Sequence, residues 1–197
     1  MARSRENTRA RLLEAAHEVF GEVGLGAASV EAICERAGFT RGAFYSNFES
    51  KDELFLALIT QLAEAKLDEV AVRVRGLPAG GEPADLVGQI ADVSLAERME
   101  PQLFSEVRTQ ALRDQRLAEA YLAWRARVRG RVEAIIVEVS ENHGLKIRMP
   151  VDAAAQLLLD ISEETAVQAA LEGRSKEEVG AALQSRLVQL VTLLVDA

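Results

Sequence analysis

The chain contains little of what would cross-link a fold or anchor it in a bilayer. It has one cysteine, Cys34, and two distant histidines, His17 and His143. An internal disulfide is therefore impossible, and no cluster has the spacing of zinc ligands. The longest uncharged apolar stretch near the end, residues 187–195, is far shorter than the roughly 18 to 20 residues that cross a membrane. We expect no metal site and no membrane span.

Proline and glycine are also scarce. Four prolines and thirteen glycines among 197 residues are too few for a collagen-like or low-complexity chain. Three of the glycines and two of the prolines fall in residues 76–83, which predicts a loop there. The first residues, Met-Ala-Arg-Ser-Arg-Glu, run into a charged helical pattern without the apolar stretch of a secretory signal, so we expect a cytoplasmic protein.

Positive charge is scarce outside the first quarter of the chain. The net charge of −8 alone argues against a nucleic-acid partner. Residues 1–51, however, hold seven basic and seven acidic side chains, so the whole negative excess lies beyond them. A polyanion would be repelled everywhere except at this first segment. The arginines at positions 3, 5, 9 and 11 fit either a solvated tail or an arm that enters a minor groove.

Apolar residues recur with helical spacing along almost the whole chain, and no run alternates long enough to predict a strand. We therefore predict an all-α fold. A first helix ends near Gly24, and Ser50 with Glu53 forms a capping box that starts a long helix. The other helices are predicted at 29–37, 40–46, 84–97, 102–113, 115–141, 151–172 and 176–195.

Two short helices joined by a tight glycine turn have the size of a helix-turn-helix, whose second helix enters the major groove of DNA. Ser29 and Thr40 are suitable N-caps, and Gly38 supplies the turn. In the second helix, Phe44 and Phe48 lie four residues apart and predict a buried anchor on one side.

The opposite side of that helix carries side chains suited to DNA. Arg41 can bond guanine O6 and N7, and Tyr45 or Asn47 can hold phosphate oxygens. Gly42 lets the backbone approach the groove, and Lys51 adds its charge to a helix N-terminus that favours phosphate. For Arg41 and Tyr45 the alternatives are a solvated surface arginine and a half-buried core tyrosine.

The segment with these two helices, which we call the head, resembles the DNA-binding signature of TetR-family transcriptional regulators. The resemblance is strongest at residues 37–54, which read Ala-Gly-Phe-Thr-Arg-Gly-Ala-Phe-Tyr-Ser-Asn-Phe-Glu-Ser-Lys-Asp-Glu-Leu. The resemblance extends over about residues 8–58. It implies a helix-turn-helix DNA-binding domain at 1–50 and a larger helical effector-binding and dimerisation domain at 51–197. The DNA contacts that it implies are Ser29, Thr40, Arg41, Gly42, Tyr45, Asn47 and Lys51.

The domain at 51–197, which we call the body, is expected to bind a small, mostly apolar effector. For each candidate residue the alternative is plain core packing. Arg108 or Glu163 would supply a polar group, and the indole N–H of Trp124 would orient the ligand. The apolar candidates are Met99, Phe104, Tyr121, Trp124 and Leu158.

The last helix carries a broad apolar face. Val179, Leu183, Leu187, Leu190 and Leu194 recur at intervals of four, four, three and four, which predicts a face wide enough for a second chain. In the family that the head resembles, the last two helices form the dimer, so we expect a homodimer through 151–172 and 176–195.

No sequence pattern indicates catalysis. The chain has no phosphate-binding glycine motif, no nucleophile elbow and no cysteine with a nearby histidine, so we predict neither an enzyme nor a cofactor. We predict a homodimeric repressor that binds a near-palindromic operator in double-stranded DNA and is released by a small apolar effector. The alternative is a helical protein-interaction adaptor with weak or no specific DNA binding.

Overall fold

A computed structural model describes residues 2–77 and 101–196, which are almost entirely helical, and the all-α prediction is confirmed. A short antiparallel pair of two-residue strands is the addition that sequence periodicity did not predict. The predicted helix at 84–97 and residues 78–83 of the predicted loop lie outside the described residues. In chain order the elements are α1 (Ala2–Ala27), α2 (Val30–Ala37), α3 (Arg41–Tyr45), α4 (Lys51–Gly76), α5 (Pro101–Ala111), α6 (Gln115–His143), β1 (Lys146–Ile147), α7 (Val151–Leu171), α8 (Lys176–Leu194) and β2 (Val195–Asp196).

The first helix is interrupted at Gly24, close to its predicted end. Gly24 has φ 78° and ψ 165°, and one further turn then continues to Ala27. A Cβ atom at Gly24 would lie 2.5 Å from Oε1 of Glu106, so a side chain here would strain the backbone and displace the Glu106 carboxylate. The predicted helix end therefore marks a kink with a short continuation.

Side chains close the ends of the short helices as the sequence predicts. Ser29 Oγ accepts from the N–H of Ala32, and Thr40 Oγ1 accepts from the N–H of Ala43. Gly38 ends α2 with φ 72°. Each short helix thus has its free N–H groups partly satisfied before any ligand binds.

The capping box predicted at α4 differs from the one that the structure shows at α8. Ser175 and Glu178 form the complete box at the start of α8, and the hydrogen bonds from Ser175 hold the pKa of Glu178 below its usual value. At α4, Ser50 Oγ accepts from the N–H of Glu53, but the Glu53 carboxylate accepts from the N–H of Glu49 rather than from Ser50. At α4, therefore, only one of the two hydrogen bonds of a capping box is formed, the one from the Glu53 N–H to Ser50 Oγ.

Packing divides the chain into two compact units. The first comprises residues 1–62 and 102–124, and the second comprises 63–101 and 125–197. The predicted boundary at residue 50 is a division by function and stays a prediction. In the first unit, the largest fully buried side chains are Phe20, Phe44, Phe48, Phe55, Leu12, Leu25, Ile33, Leu54 and Ile59.

In the second unit, two apolar clusters join the helices. Val70 and Val74 of α4 pack against Ile135 and Val139 of α6. Leu183 and Leu187 of α8 pack against Leu158 of α7. Among the described residues, no helix combines the length and hydropathy that a bilayer span requires.

Part of the apolar face of α8 is used within the chain, and the dimer through α7 and α8 stays a prediction. Val179, Leu183 and Leu187 are buried, and Leu183 and Leu187 pack against Leu158 of the neighbouring α7. Leu193, in contrast, is 70% exposed, and Leu157 of α7 is 37% exposed. A second chain would have to use these outward leucines.

Replacing Gly24 by alanine should lower the free energy of unfolding by about 1–3 kcal/mol, because the new Cβ meets the Glu106 carboxylate and the backbone conformation becomes strained. Gly26→Ala is the matched control, since its Cβ would meet nothing nearer than Gln110 Nε2 at 3.8 Å. Urea denaturation of both variants measures the difference. Equal stability of the two variants would refute the steric role of Gly24.

Candidate nucleic-acid interface

The second helix of the motif, α3, is held by two phenylalanines and exposes its other side. Phe44 and Phe48 are 0% and 1% exposed, with ring centroids 5.9 Å apart, so the predicted anchor is confirmed. Arg41 and Gly42 are exposed, and Tyr45 is 50% exposed with its ring edge-on to Phe44. Tyr45 is therefore half-buried on Phe44, and its contact with DNA stays a prediction.

Arg41 is already positioned over this exposed face. Its Nη1 lies 2.8 Å from Oε1 of Glu31, and its guanidinium carbon lies 5.9 Å from the ring centroid of Tyr45. Hydrogen bonding to Tyr45 and the negative charge of Glu31 raise the pKa of Arg41. Because Arg41 and Glu31 are both well exposed, their ion pair stabilises little and can exchange for another acceptor.

Three other predicted contacts lie at helix ends on the surface. Ser29 and Thr40 are exposed, and each hydroxyl accepts a cap hydrogen bond while keeping its own hydrogen as a donor. At Gly42, a Cβ would meet nothing nearer than Thr40 Oγ1 at 3.7 Å. The described chain therefore does not itself require glycine at position 42, as expected if close approach of an external surface is the reason for it.

Asn47 and Lys51 are engaged with the protein backbone. Asn47 Nδ2 donates to the carbonyl of Ala43 at 2.8 Å. Lys51 Nζ donates to the carbonyls of Leu25 and Ala28 at 2.6 and 2.9 Å. An ammonium group has three hydrogens, so one remains for a phosphate. A phosphate contact by Lys51 stays a prediction, and its bonds to the end of α1 were not anticipated.

The N-terminal arginines have a role that neither sequence hypothesis contained. Arg5 Nη2 donates to the carbonyl of Ser46, and Arg9 Nη1 donates to the carbonyl of Asn47. The Arg9 guanidinium also lies 4.2 Å above the centroid of the Phe48 ring. Both belong to α1 rather than to a disordered tail, and a minor-groove contact by them stays a prediction. They place positive charge at the C-terminal end of α3, where the helix dipole favours it.

Two further residues strengthen the junction of α1 and α2. Arg36 donates to the carboxylates of Glu18 and Glu22 at 2.9 and 2.8 Å, and these partners raise the pKa of Arg36. Cys34 is buried, and burial raises the pKa of its thiol. Cys34 is therefore a small apolar core residue.

Three of the predicted effector contacts form one aromatic cluster in the first unit. The ring of Trp124 lies 5.7 Å from that of Phe104 and 5.6 Å from that of Tyr121, and all three are buried. The buried indole N–H of Trp124 has no hydrogen-bond partner among the described residues. Such a donor is costly to bury alone, which suits a place where a ligand supplies the acceptor.

The remaining effector candidates lie elsewhere. Arg108 is on an exposed side of α5, Leu158 packs between α7 and α8 in the second unit, and Met99 lies outside the described residues. Glu163 forms an ion pair with Arg125 at 3.0 Å, and Arg125 also contacts Asp160 at 3.0 Å. A role of Glu163 as the polar group for a ligand stays a prediction.

An α2–α3 pair with capped ends, a buried aromatic anchor and an exposed arginine-tyrosine face is a helix-turn-helix DNA-binding domain. Residues 12–58 match the family of bacterial regulatory proteins described as the tetR family. This part of the chain is therefore similar to the DNA-binding domain of tetR-family transcriptional regulators.

Two relatives illustrate the similarity. The transcriptional regulator UidR of Escherichia coli is 39% identical over 70 residues, 36% of each chain. The regulator TtgR of Pseudomonas putida is 42% identical over 59 residues, which are 30% of this chain and 28% of its own. The similarity thus spans about a third of the length of these curated relatives.

Solved structures extend the similarity of fold to the body. A TetR-family regulator from Mesorhizobium loti is 18% identical with a TM-score of 0.75, and the match covers 98% of both chains. The fatty acid degradation regulator FadR from Bacillus halodurans is 16% identical with a TM-score of 0.71, covering 93% of this chain and 94% of its own. At these identities the likeness concerns the fold alone.

Arg9→Ala should lower the free energy of unfolding by about 1–2 kcal/mol, because it removes a charged hydrogen bond to α3 and a cation–π contact with Phe48. Arg11→Ala removes the same charge from the same helix and only a longer contact with Phe39, so about 0.5 kcal/mol is expected. Urea denaturation distinguishes the variants. A loss at Arg11 as large as that at Arg9 would show that the effect comes from charge alone.

Proposed function

We propose that the chain is a cytoplasmic, ligand-responsive transcriptional repressor that binds a near-palindromic operator as a homodimer and is released by a small apolar effector. The observation that carries this proposal is the division of α3 into a buried Phe44–Phe48 side and an exposed side with Arg41 and Tyr45. A surface of this kind matches the major groove in size and chemistry.

Arg41 reads the operator sequence in this proposal. On contact with DNA its guanidinium exchanges the Glu31 carboxylate for guanine O6 and N7, which accept the same paired N–H groups. The hydroxyls of Ser29, Thr40 and Tyr45 hold phosphates and fix the register. Gly42 lets the backbone approach the groove, while the acidic remainder of the chain repels DNA and orients the encounter.

The two outward leucines of α7 and α8 form the centre of the proposed dimer. Leu157 and Leu193 are the large apolar side chains on these helices, besides Leu171 near the end of α7, that the single chain leaves exposed. A two-fold axis would bring these surfaces together as a four-helix bundle. Two heads would then meet two half-sites that are about 34 Å apart or a multiple of one helical turn.

The aromatic cluster of Phe104, Tyr121 and Trp124 marks the effector site that we propose. Its rings supply apolar surface, and the unpartnered indole N–H selects an effector that carries a hydrogen-bond acceptor. One similar structure, from Saccharomonospora viridis, was solved in complex with choline, and another is a regulator of fatty acid degradation.

Arg41→Ala should weaken binding to the operator by about 1–3 kcal/mol and relax base choice at one position in each half-site. The probe is a duplex that the wild-type protein selects from a random library, compared with a scrambled duplex by fluorescence anisotropy. Arg113→Ala removes an equal charge from an exposed site outside the motif and is the control. Equal weakening on both duplexes would show that Arg41 contacts phosphate only. A wild-type protein that selects no sequence would favour the adaptor alternative.

Leu193→Glu should raise the dissociation constant of the dimer by at least about tenfold, since it introduces an unpaired charge into the buried contact. Leu112→Glu is the control, because Leu112 is 89% exposed and lies outside α7 and α8. Sedimentation velocity over a concentration series measures both variants. An unchanged dimer in Leu193→Glu would place the interface elsewhere.

A further inference from the structure

The backbone of Leu25 is held from two sides by opposite charges. Its N–H donates to Oε2 of Glu106 on α5 at 2.5 Å, and the N–H of Gly26 donates to the same oxygen at 3.2 Å. The carbonyls of Leu25 and Ala28 accept from the Lys51 ammonium at the start of α4. A single turn of backbone, residues 24–28, therefore links α5 to the first residue of α4.

The conformation at Gly24 makes this link possible. Its positive φ turns the chain so that the next two N–H groups point at one carboxylate, and the missing Cβ leaves room for that carboxylate. The same turn leads directly to Ser29, the N-cap of α2. Two of the predicted DNA contacts, Ser29 and Lys51, thus depend on where this turn lies.

We propose that Glu106 is a positioning residue for DNA binding, although it lies on α5, outside the helix-turn-helix. The Glu106 carboxylate holds the Gly24–Ala28 turn in place. The carbonyls of that turn then orient the Lys51 ammonium so that its third hydrogen faces a DNA phosphate. Without Glu106 the turn loses two hydrogen bonds, and Lys51 loses the fixed carbonyls that orient it.

The position of Glu106 on α5 also links the turn to the aromatic cluster. Phe104, two residues earlier on the same helix, packs against Trp124. A displacement of α5 that separates these rings therefore also shifts the Glu106 carboxylate relative to the turn. This step rests on the proposed function, and it makes α5 the element through which an effector at the cluster weakens DNA binding.

The first test measures affinity for the library-selected duplex. Glu106→Ala should weaken binding about tenfold, whereas Glu106→Gln, which keeps an oxygen acceptor for the two N–H groups, should remain within about threefold of wild type. Gln110→Ala, one turn further along the same helix, is the matched control and should change affinity less than twofold. If Glu106→Ala does not fold, Glu106→Asp, which withdraws the oxygen by one methylene, replaces it in the comparison.

A double-mutant cycle separates a positioning role from general destabilisation. If Glu106 acts through Lys51, then Glu106→Ala should cost little further affinity in a Lys51→Ala background. Independent, multiplying losses, or wild-type affinity in Glu106→Ala, would overturn the proposal while leaving DNA binding itself intact. A wild-type protein that selects no duplex would overturn both this proposal and the proposed function.

The single tryptophan supplies a readout that a merely structural role would not change. Because coupling is reciprocal, saturation of the wild-type protein with the selected duplex should alter the fluorescence of Trp124, and the alteration should vanish in Glu106→Ala at saturating DNA. The Gln110→Ala control should retain it. Identical responses in wild type and Glu106→Ala, or no response in wild type, would refute the link through α5.

Discussion

The burial of Phe44 and Phe48 is the interaction on which the DNA-binding surface depends. An isolated helix of five residues has no stability in water, because its few hydrogen bonds cannot offset the entropy of ordering the backbone. The two rings supply the missing free energy by packing, and Arg5 and Arg9 satisfy carbonyls just beyond the helix. The exposed side of α3 is therefore ordered before DNA arrives, which lowers the entropic cost of binding.

The features of this structure that can be predicted from the sequence are those set by residues close together along the chain. Apolar spacing predicts the helices, and the caps at Ser29, Thr40 and Ser175 follow from hydroxyl chemistry at helix starts. The anchor formed by Phe44 and Phe48 follows in the same way from an interval of four residues. None of these inferences requires knowledge of which distant segment packs against which.

The contacts that sequence reasoning missed join residues far apart along the chain. Arg9 reaches a carbonyl 38 residues away, and Glu106 reaches an N–H 81 residues away. No short motif marks such pairs, because the partner is a backbone N–H or carbonyl, which nearly every residue has whatever its side chain. A related point concerns α8: periodicity shows that Leu183 and Leu187 are buried, but it does not say whether the partner is the same chain or another.

The ends of α8 have a consequence for association. The capping box of Ser175 and Glu178 secures its first turn, and the strand pair of Lys146–Ile147 with Val195–Asp196 secures the backbone directly after its last. A helix fixed at both ends does not fray, so whatever packs against its outer side meets a surface that is already rigid. Little conformational freedom remains to be lost, and even a modest apolar contact can then support a lasting complex.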